Sequence, residues 1–345
     1  MARALVLERP RELRLREIDL PQEVGPGDVR IRMDVVGICG SDVHYYRHGR
    51  IGPFVVEAPM VLGHEGAGTV VEIGDRVAGL KPGDRVCIEP GIPDFSSRAS
   101  RIGLYNLDPS LTFWATPPVH GCLTPEVVHP ASLCYRLPDG VSQAEGAMVE
   151  PLAVGLQAVH KVGVAAGDVA LVLGAGPIGI LVALSALAAG CARVLIFDPA
   201  EEKMRIAAGY DGIVPLAADP AGLAGQVMTA TGGWGVDIVF ECSGAGRAYD
   251  EAAPCLRPGG ALVCVGMASG PVPIDMVALM VKEIRVVTVF RYANVYDRAI
   301  ALMESGKIDV KPLISATYGF EDSVAAFERA DVALPQDVKI QITLD

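Results

Sequence analysis

Residues Val169 to Asp198 read VALVLGAGPIGILVALSALAAGCARVLIFD, and the fold of half the chain turns on how this stretch is parsed. Its hydropathy alone would suit a membrane span. Glycines and a proline punctuate it early, however, and Arg193 sits inside it, so it reads as strand, turn, helix and strand buried in a protein core. The turn is Gly174-Ala175-Gly176-Pro177-Ile178-Gly179. Glycine-rich turns are common, and the pattern by itself is weak. Here it follows a strand, opens a helix, and is followed nineteen residues past Gly179 by Asp198 at the end of the next strand. That context points to a dinucleotide pyrophosphate turn. Gly174 permits the tight turn, Gly176 lets the pyrophosphate approach the backbone, and Gly179 lets the helix pack close to the sheet. Pro177 and Ile178 begin the helix, whose N-terminus faces the phosphates with free N–H groups and partial positive charge. Asp198 can accept hydrogen bonds from the adenosine ribose and repels a 2′-phosphate, so NAD is expected over NADP. Lys203, counted with the cofactor contacts, and Arg205 lie just beyond and could hold a phosphate. The alternative for Asp198 is a cap on the helix begun by Pro199.

Outward from this turn the chain alternates. Strand-like runs occur at Val169–Leu173, Val194–Phe197, Val236–Phe240, Ala261–Val265 and Ile284–Val289, with a weaker one at Ile213–Leu216. Helical stretches such as Ile178–Ala189 and Glu201–Ala208 separate them. This predicts an α/β fold built on a doubly wound parallel sheet of the Rossmann type. Cys242 and the Val265-Gly266-Met267 turn follow the fourth and fifth strands near the switch point and are expected at the nicotinamide half, together with Val289. The first 150 residues read instead as short strands, among them Val29–Val36, Gly68–Ile73 and Arg85–Glu89, followed by a polar lobe from Pro90 to Pro118. Ser142 with Glu145 resembles a capping box opening a helix through Val159. The expected domains are 1–150 with 290–345, rich in β structure, and 151–289, the dinucleotide-binding unit; the closing strand Lys339–Leu344 returns to the first.

The chain has 345 residues, 51% of them hydrophobic, enough to bury two cores. A net charge of −12 argues against a nucleic-acid backbone or an anionic membrane as partner. Charges interrupt every apolar run of Met1–Leu20, so no secretory leader is read there. None of the eight cysteines forms a CxxC pair. Reduced thiols in a cytoplasmic protein are therefore expected, with Cys87, Cys134 and Cys264 as packing.

A second constellation is Gly37-Ile38-Cys39-Gly40-Ser41-Asp42, with Gly63-His64-Glu65 further on. Thiol, imidazole and carboxylate are zinc ligand types, and a catalytic zinc keeps three protein ligands and one open position. Spacing alone leaves a buried thiol and a loop histidine equally open.

The run GHEGAG at Gly63–Gly68, with Gly74 and Val77, resembles the zinc signature of the medium-chain alcohol dehydrogenases. VVGICGSDVHYY, APMVLGHEGAGTVVEIG, Tyr105–Pro118, MVEPLAVG and Phe290-Arg291-Tyr292 resemble their sorbitol and xylitol dehydrogenase branch, so the likeness spans the chain. It implies a GroES-like catalytic domain beside the Rossmann domain. It implies zinc held by Cys39 and His64, with Glu65 beside them and Glu150 reaching the metal directly or through water. Ser41 corresponds to a hydroxyl near the metal, and Glu150 is a candidate base. Tyr45, Phe113, Glu150, Arg291 and Tyr292 would line a polyol pocket, Arg291 also touching NAD. The implied reaction is NAD-dependent oxidation of a polyol to a ketose, xylitol first and sorbitol as the alternative. A zinc-free reductase and a non-catalytic NAD-binding protein are the remaining readings. Many relatives carry four lobe cysteines around a structural zinc. The matching positions here are Asp94, Ser97, Ser100 and Asp108, a poor tetrahedral set, so one zinc per chain is expected. The likeness also implies a homotetramer, with Asp275–Val281 as a candidate intersubunit edge. Asp42 is expected to order its own turn, with support of His64 as a second possibility.

Overall fold

The computed structural model describes residues 1–217, 219, 222–268 and 270–344. Two compact units result, Met1–Glu150 with Tyr296–Asp345, and Pro151–Val295.

The second unit is built on six strands, Val169–Leu173, Arg193–Phe197, Ile213–Pro215, Val236–Glu241, Leu256–Cys264 and Arg285–Thr288. All their pairings are parallel. Taken in chain order, they lie in the sheet as third, second, first, fourth, fifth, sixth. This is the doubly wound order whose direction reverses between the first and fourth strands. The apolar stretch that opened the sequence reading is strand, helix Pro177–Ala189 and strand. That helix is apolar all round because Gly179 to Ala186 are all buried. Among the described residues no helix is long and apolar enough to cross a membrane. The fifth strand starts at Leu256, earlier than the sequence suggests. Leu256 pairs with Val236 and Ala261 with Ile238, so Arg257-Pro258-Gly259-Gly260 bulge out of the ladder between them.

The first unit contains a seven-stranded sheet. Its central strand Asp28–Gly37 pairs antiparallel with Glu65–Ile73, Glu126–Pro130 and the closing strand Lys339–Thr343. Alternation along Asp28–Gly37 places Val29, Ile31 and Met33 fully in the core while Arg30 and Arg32 point away. Ser142 and Glu145 do form a capping box, but the helix is broken into Gln143–Gly146 and Val149–Val162.

Candidate active site

Strand pairing assembles the metal-type residues. Cys39 N-caps the helix Gly40–His48, two residues past the strand that ends at Gly37. Gly37 is the register partner of Glu65. One donor atom each from Cys39, His64 and Glu65 lie within 4.8 Å of one another, the one such trio among the described residues. Gly37 has to lack a side chain, since a Cβ there would lie 2.2 Å from Glu65 Oε2.

Two buried groups hold this trio. Asp42 is fully buried. Its Oδ2 accepts from Cys39 N at 3.0 Å, and its Oδ1 accepts from Gly63 N at 3.1 Å, so one carboxylate ties both ligand loops together. Asp42 Oδ1 also lies 3.6 Å from His64 Nδ1, a buried nitrogen that has no hydrogen-bond partner. Burial works against a charged His64, but Asp42 and Cys39 beside it outweigh that and raise its pKa well above the ordinary histidine value. A proton and a metal ion therefore compete for one electron-rich point. The second group is Lys339, whose ammonium donates to Glu65 Oε1 at 2.6 Å, Glu65 Oε2 at 2.7 Å and the Ile38 carbonyl at 3.2 Å. Both partners are almost completely buried. Burial alone would lower the Lys339 pKa; Glu65, then Cys39, raise it instead. Sequence reasoning missed Lys339, although a lone lysine in the apolar run Val338–Ile342 needs a buried partner and was a usable signal.

Glu150 is buried at the start of the helix Val149–Val162 but falls outside the trio; its charge acts on Lys339 and Cys122. Ser41 and buried Tyr45 lie one turn apart on the helix that Cys39 caps. The Phe113 ring sits 5.7 Å from the His64 ring, centre to centre. Thiol, imidazole and carboxylate converging on a point, with one imidazole nitrogen unpaired, fit a zinc ion. In the lobe, Asp94 N donates to Asp108 Oδ2 at 2.6 Å, and Ser100 N to Ser97 Oγ at 3.1 Å. Hydrogen bonds link the positions where cysteines would stand.

The second unit carries the expected cofactor residues. Gly174 takes φ 101°, Gly176 caps the helix begun by Pro177 and Ile178, and a Cβ on Gly179 would lie 1.8 Å from the Gly174 carbonyl. Asp198 does not cap a helix begun by Pro199, since that helix runs Glu201–Ala207 with Ala200 as its N-cap. Its Oδ2 accepts from Ala175 N and its Oδ1 from Ala200 N, both at 2.8 Å, so it locks the glycine turn to the turn after its own strand. Lys203 is partly buried on the helix Glu201–Ala207. Cys242 N donates to the Leu173 carbonyl, Val265 N and Gly266 N to the Glu241 carbonyl, and Val289 N to the Cys264 carbonyl. Met267 is exposed, Tyr292 is buried, and the Arg291 guanidinium lies over the Phe290 ring.

Residues 25–139 match the alcohol dehydrogenase GroES-like domain, and residues 177–305 the zinc-binding dehydrogenase domain. A protein of Agrobacterium fabrum, named provisionally a D-xylulose reductase, is 61% identical over 99% of both chains. The D-xylulose reductase of Morganella morganii is 52% identical over 95% of this chain and 97% of its own. The sorbitol dehydrogenase of Rattus norvegicus is 42% identical over 98% of this chain and 95% of its own. Matches of that depth across a glycine turn at a sheet switch point and a Cys–His–Glu trio make the chain a member of the zinc-dependent medium-chain dehydrogenases, in their polyol dehydrogenase branch.

Proposed function

We propose that the chain oxidises a polyol to a ketose with NAD as hydride acceptor, and that its substrate pair is xylitol and xylulose. The observation that carries this reading is the Cys39–His64–Glu65 trio, held by Asp42 and Lys339. Identity to D-xylulose reductases above that to a sorbitol dehydrogenase favours the five-carbon polyol.

Cys39 and His64 would hold zinc, with Glu65 and Glu150 as the further carboxylates. When bound, zinc would supply Lewis-acid polarisation of the substrate hydroxyl and NAD the hydride acceptor. The chain supplies the rest. Asp42 fixes the spacing of the two ligand loops. Lys339 neutralises Glu65, so the buried site carries less negative charge against a developing alkoxide. Ser41 and Glu150 are proposed to pass the released proton outward. Phe113, packed on His64, and Tyr45 would shape the substrate wall, and Arg291 and Tyr292 are the polyol contacts proposed from the second unit. Groups that hydrogen-bond extra hydroxyls would disfavour ethanol, because they would be left unpaired.

Initial rates of NAD reduction with xylitol, sorbitol, other polyols and ethanol, with NADP as control, test this. Xylitol with NAD should give the highest kcat/KM. A higher value for sorbitol would move the assignment to sorbitol dehydrogenase, and turnover of ethanol alone would refute the polyol reading.

We place the protein in the cytoplasm as a homotetramer; seven thiols besides the proposed ligand Cys39, none of them in a disulfide, suit a reducing compartment. The outermost strand Arg285–Thr288 and the neighbouring exposed Met276, Val277, Met280 and Val281 supply an apolar edge for self-association. Light scattering should give the mass of four chains; a monomer would remove this assignment.

A further inference from the structure

The Glu241 carboxylate has no part in the chemistry above. It is fully buried at the C-terminal end of the fourth strand of the parallel sheet. In register it lies between Leu173, which leads into the glycine turn, and Cys264 on the fifth strand. Its Oε1 accepts from Ser243 N at 2.7 Å, from Gly244 N at 2.9 Å and from the Ser243 hydroxyl. Three donors on one oxygen are the pattern of an ionised carboxylate. Its Oε2 makes no well-formed hydrogen bond and faces Gly266, where a Cβ would lie 2.7 Å away. The Tyr249 hydroxyl also lies close to the carboxylate, and burial, then this charge, raise the tyrosine's pKa. Among the described residues, then, hydrogen-bond donors meet this charge but no cation does, an arrangement that is costly in a protein interior.

Its position gives the charge a use. A Cβ on Gly174 would lie 3.0 Å from Ser243 N, so the glycine turn abuts the turn that Glu241 organises. Both border the switch point, where a dinucleotide crosses the sheet. The nicotinamide ring is cationic when oxidised and neutral when reduced. We infer that Glu241 determines preference for the redox form of the cofactor, its buried negative charge favouring the oxidised dinucleotide over the reduced one. The inference rests on the dinucleotide reading proposed above. At an effective dielectric near 20, a buried unit charge close to the ring amounts to a preference on the order of tenfold. The protein would hold NAD more tightly and release NADH more readily, which biases it toward polyol oxidation.

The test is a pair of dissociation constants, NADH by its own fluorescence and NAD by competition, on the full chain. Glu241→Gln keeps the volume and removes the charge. It should weaken NAD about tenfold while changing NADH less than threefold. Cys264→Lys leaves the carboxylate in place and sets an ammonium beside it, so it should lower the same preference even if Glu241→Gln does not fold. Ser243→Ala keeps the charge and loosens the turn, and should weaken both forms alike. An unchanged NAD-to-NADH ratio in the charge variants, with the wild type binding both forms, overturns this inference alone. A wild type that binds neither form overturns it together with the dinucleotide reading.

Discussion

At the scale of single residues, the site depends on two buried charges, Asp42 and Lys339, that hold the trio in place. Asp42→Ala unties the Cys39 and Gly63 loops and should weaken zinc binding by about ten- to a hundredfold, read from metal retained on dialysis. Lys339→Met leaves Glu65 buried without its cation and should cost about 3–5 kcal/mol in urea unfolding; a loss under 1 kcal/mol would mean that Glu65 finds another partner. The proposed ligands were legible because each sits in a distinctive local run. Lys339 was not paired with Glu65, because the two stand 274 residues apart and only the closing strand brings them together. His129 supplies a pH effect. Burial lowers its pKa to about 4 from 6.5, and its Nε2 donates to the Glu89 carbonyl at 2.8 Å. Between those values the unfolded chain binds a proton that the folded chain refuses. Stability is therefore full above about pH 6.5 and falls toward pH 4, by about 3 kcal/mol. His129→Gln should flatten that slope in urea titrations at pH 7 and pH 5.

At the scale of elements, the glycine turn is the least tolerant segment. Gly179→Ala drives a methyl into the Gly174 carbonyl, so the helix must move off the sheet. NAD binding should fall at least tenfold, measured by fluorescence titration, while zinc content stays at the wild-type level. Asp198→Ala should erode the preference for NAD over NADP if the carboxylate meets the ribose as proposed. It also frees Ala175 N and Ala200 N, so absolute affinity should drop for both. A preserved NAD/NADP ratio would assign Asp198 to turn structure alone. The sheet was legible because its strands are continuous apolar runs between glycine-marked turns. Two element boundaries were not. The helix after Ser142 breaks in two although its apolar period runs on, and the fifth strand begins at Leu256, pairing there with Val236 before residues 257–260 bulge and pairing resumes at Ala261.

At the scale of the whole molecule, two units divide the labour. One carries the Cys–His–Glu trio, the other the dinucleotide turn. Composition alone, with a net charge of −12, pointed away from nucleic acid but said nothing of zinc or polyols. Those came from motif context, and Lys339, the support behind Glu65, came only from long-range strand pairing. The central claim is that this trio binds a zinc ion without which the polyol is not oxidised. The direct test is to strip the metal with a chelator, measure NAD reduction with xylitol, and restore one equivalent of zinc. Activity should vanish with the metal and return at about one zinc per chain. Undiminished turnover in the metal-free protein would contradict the claim.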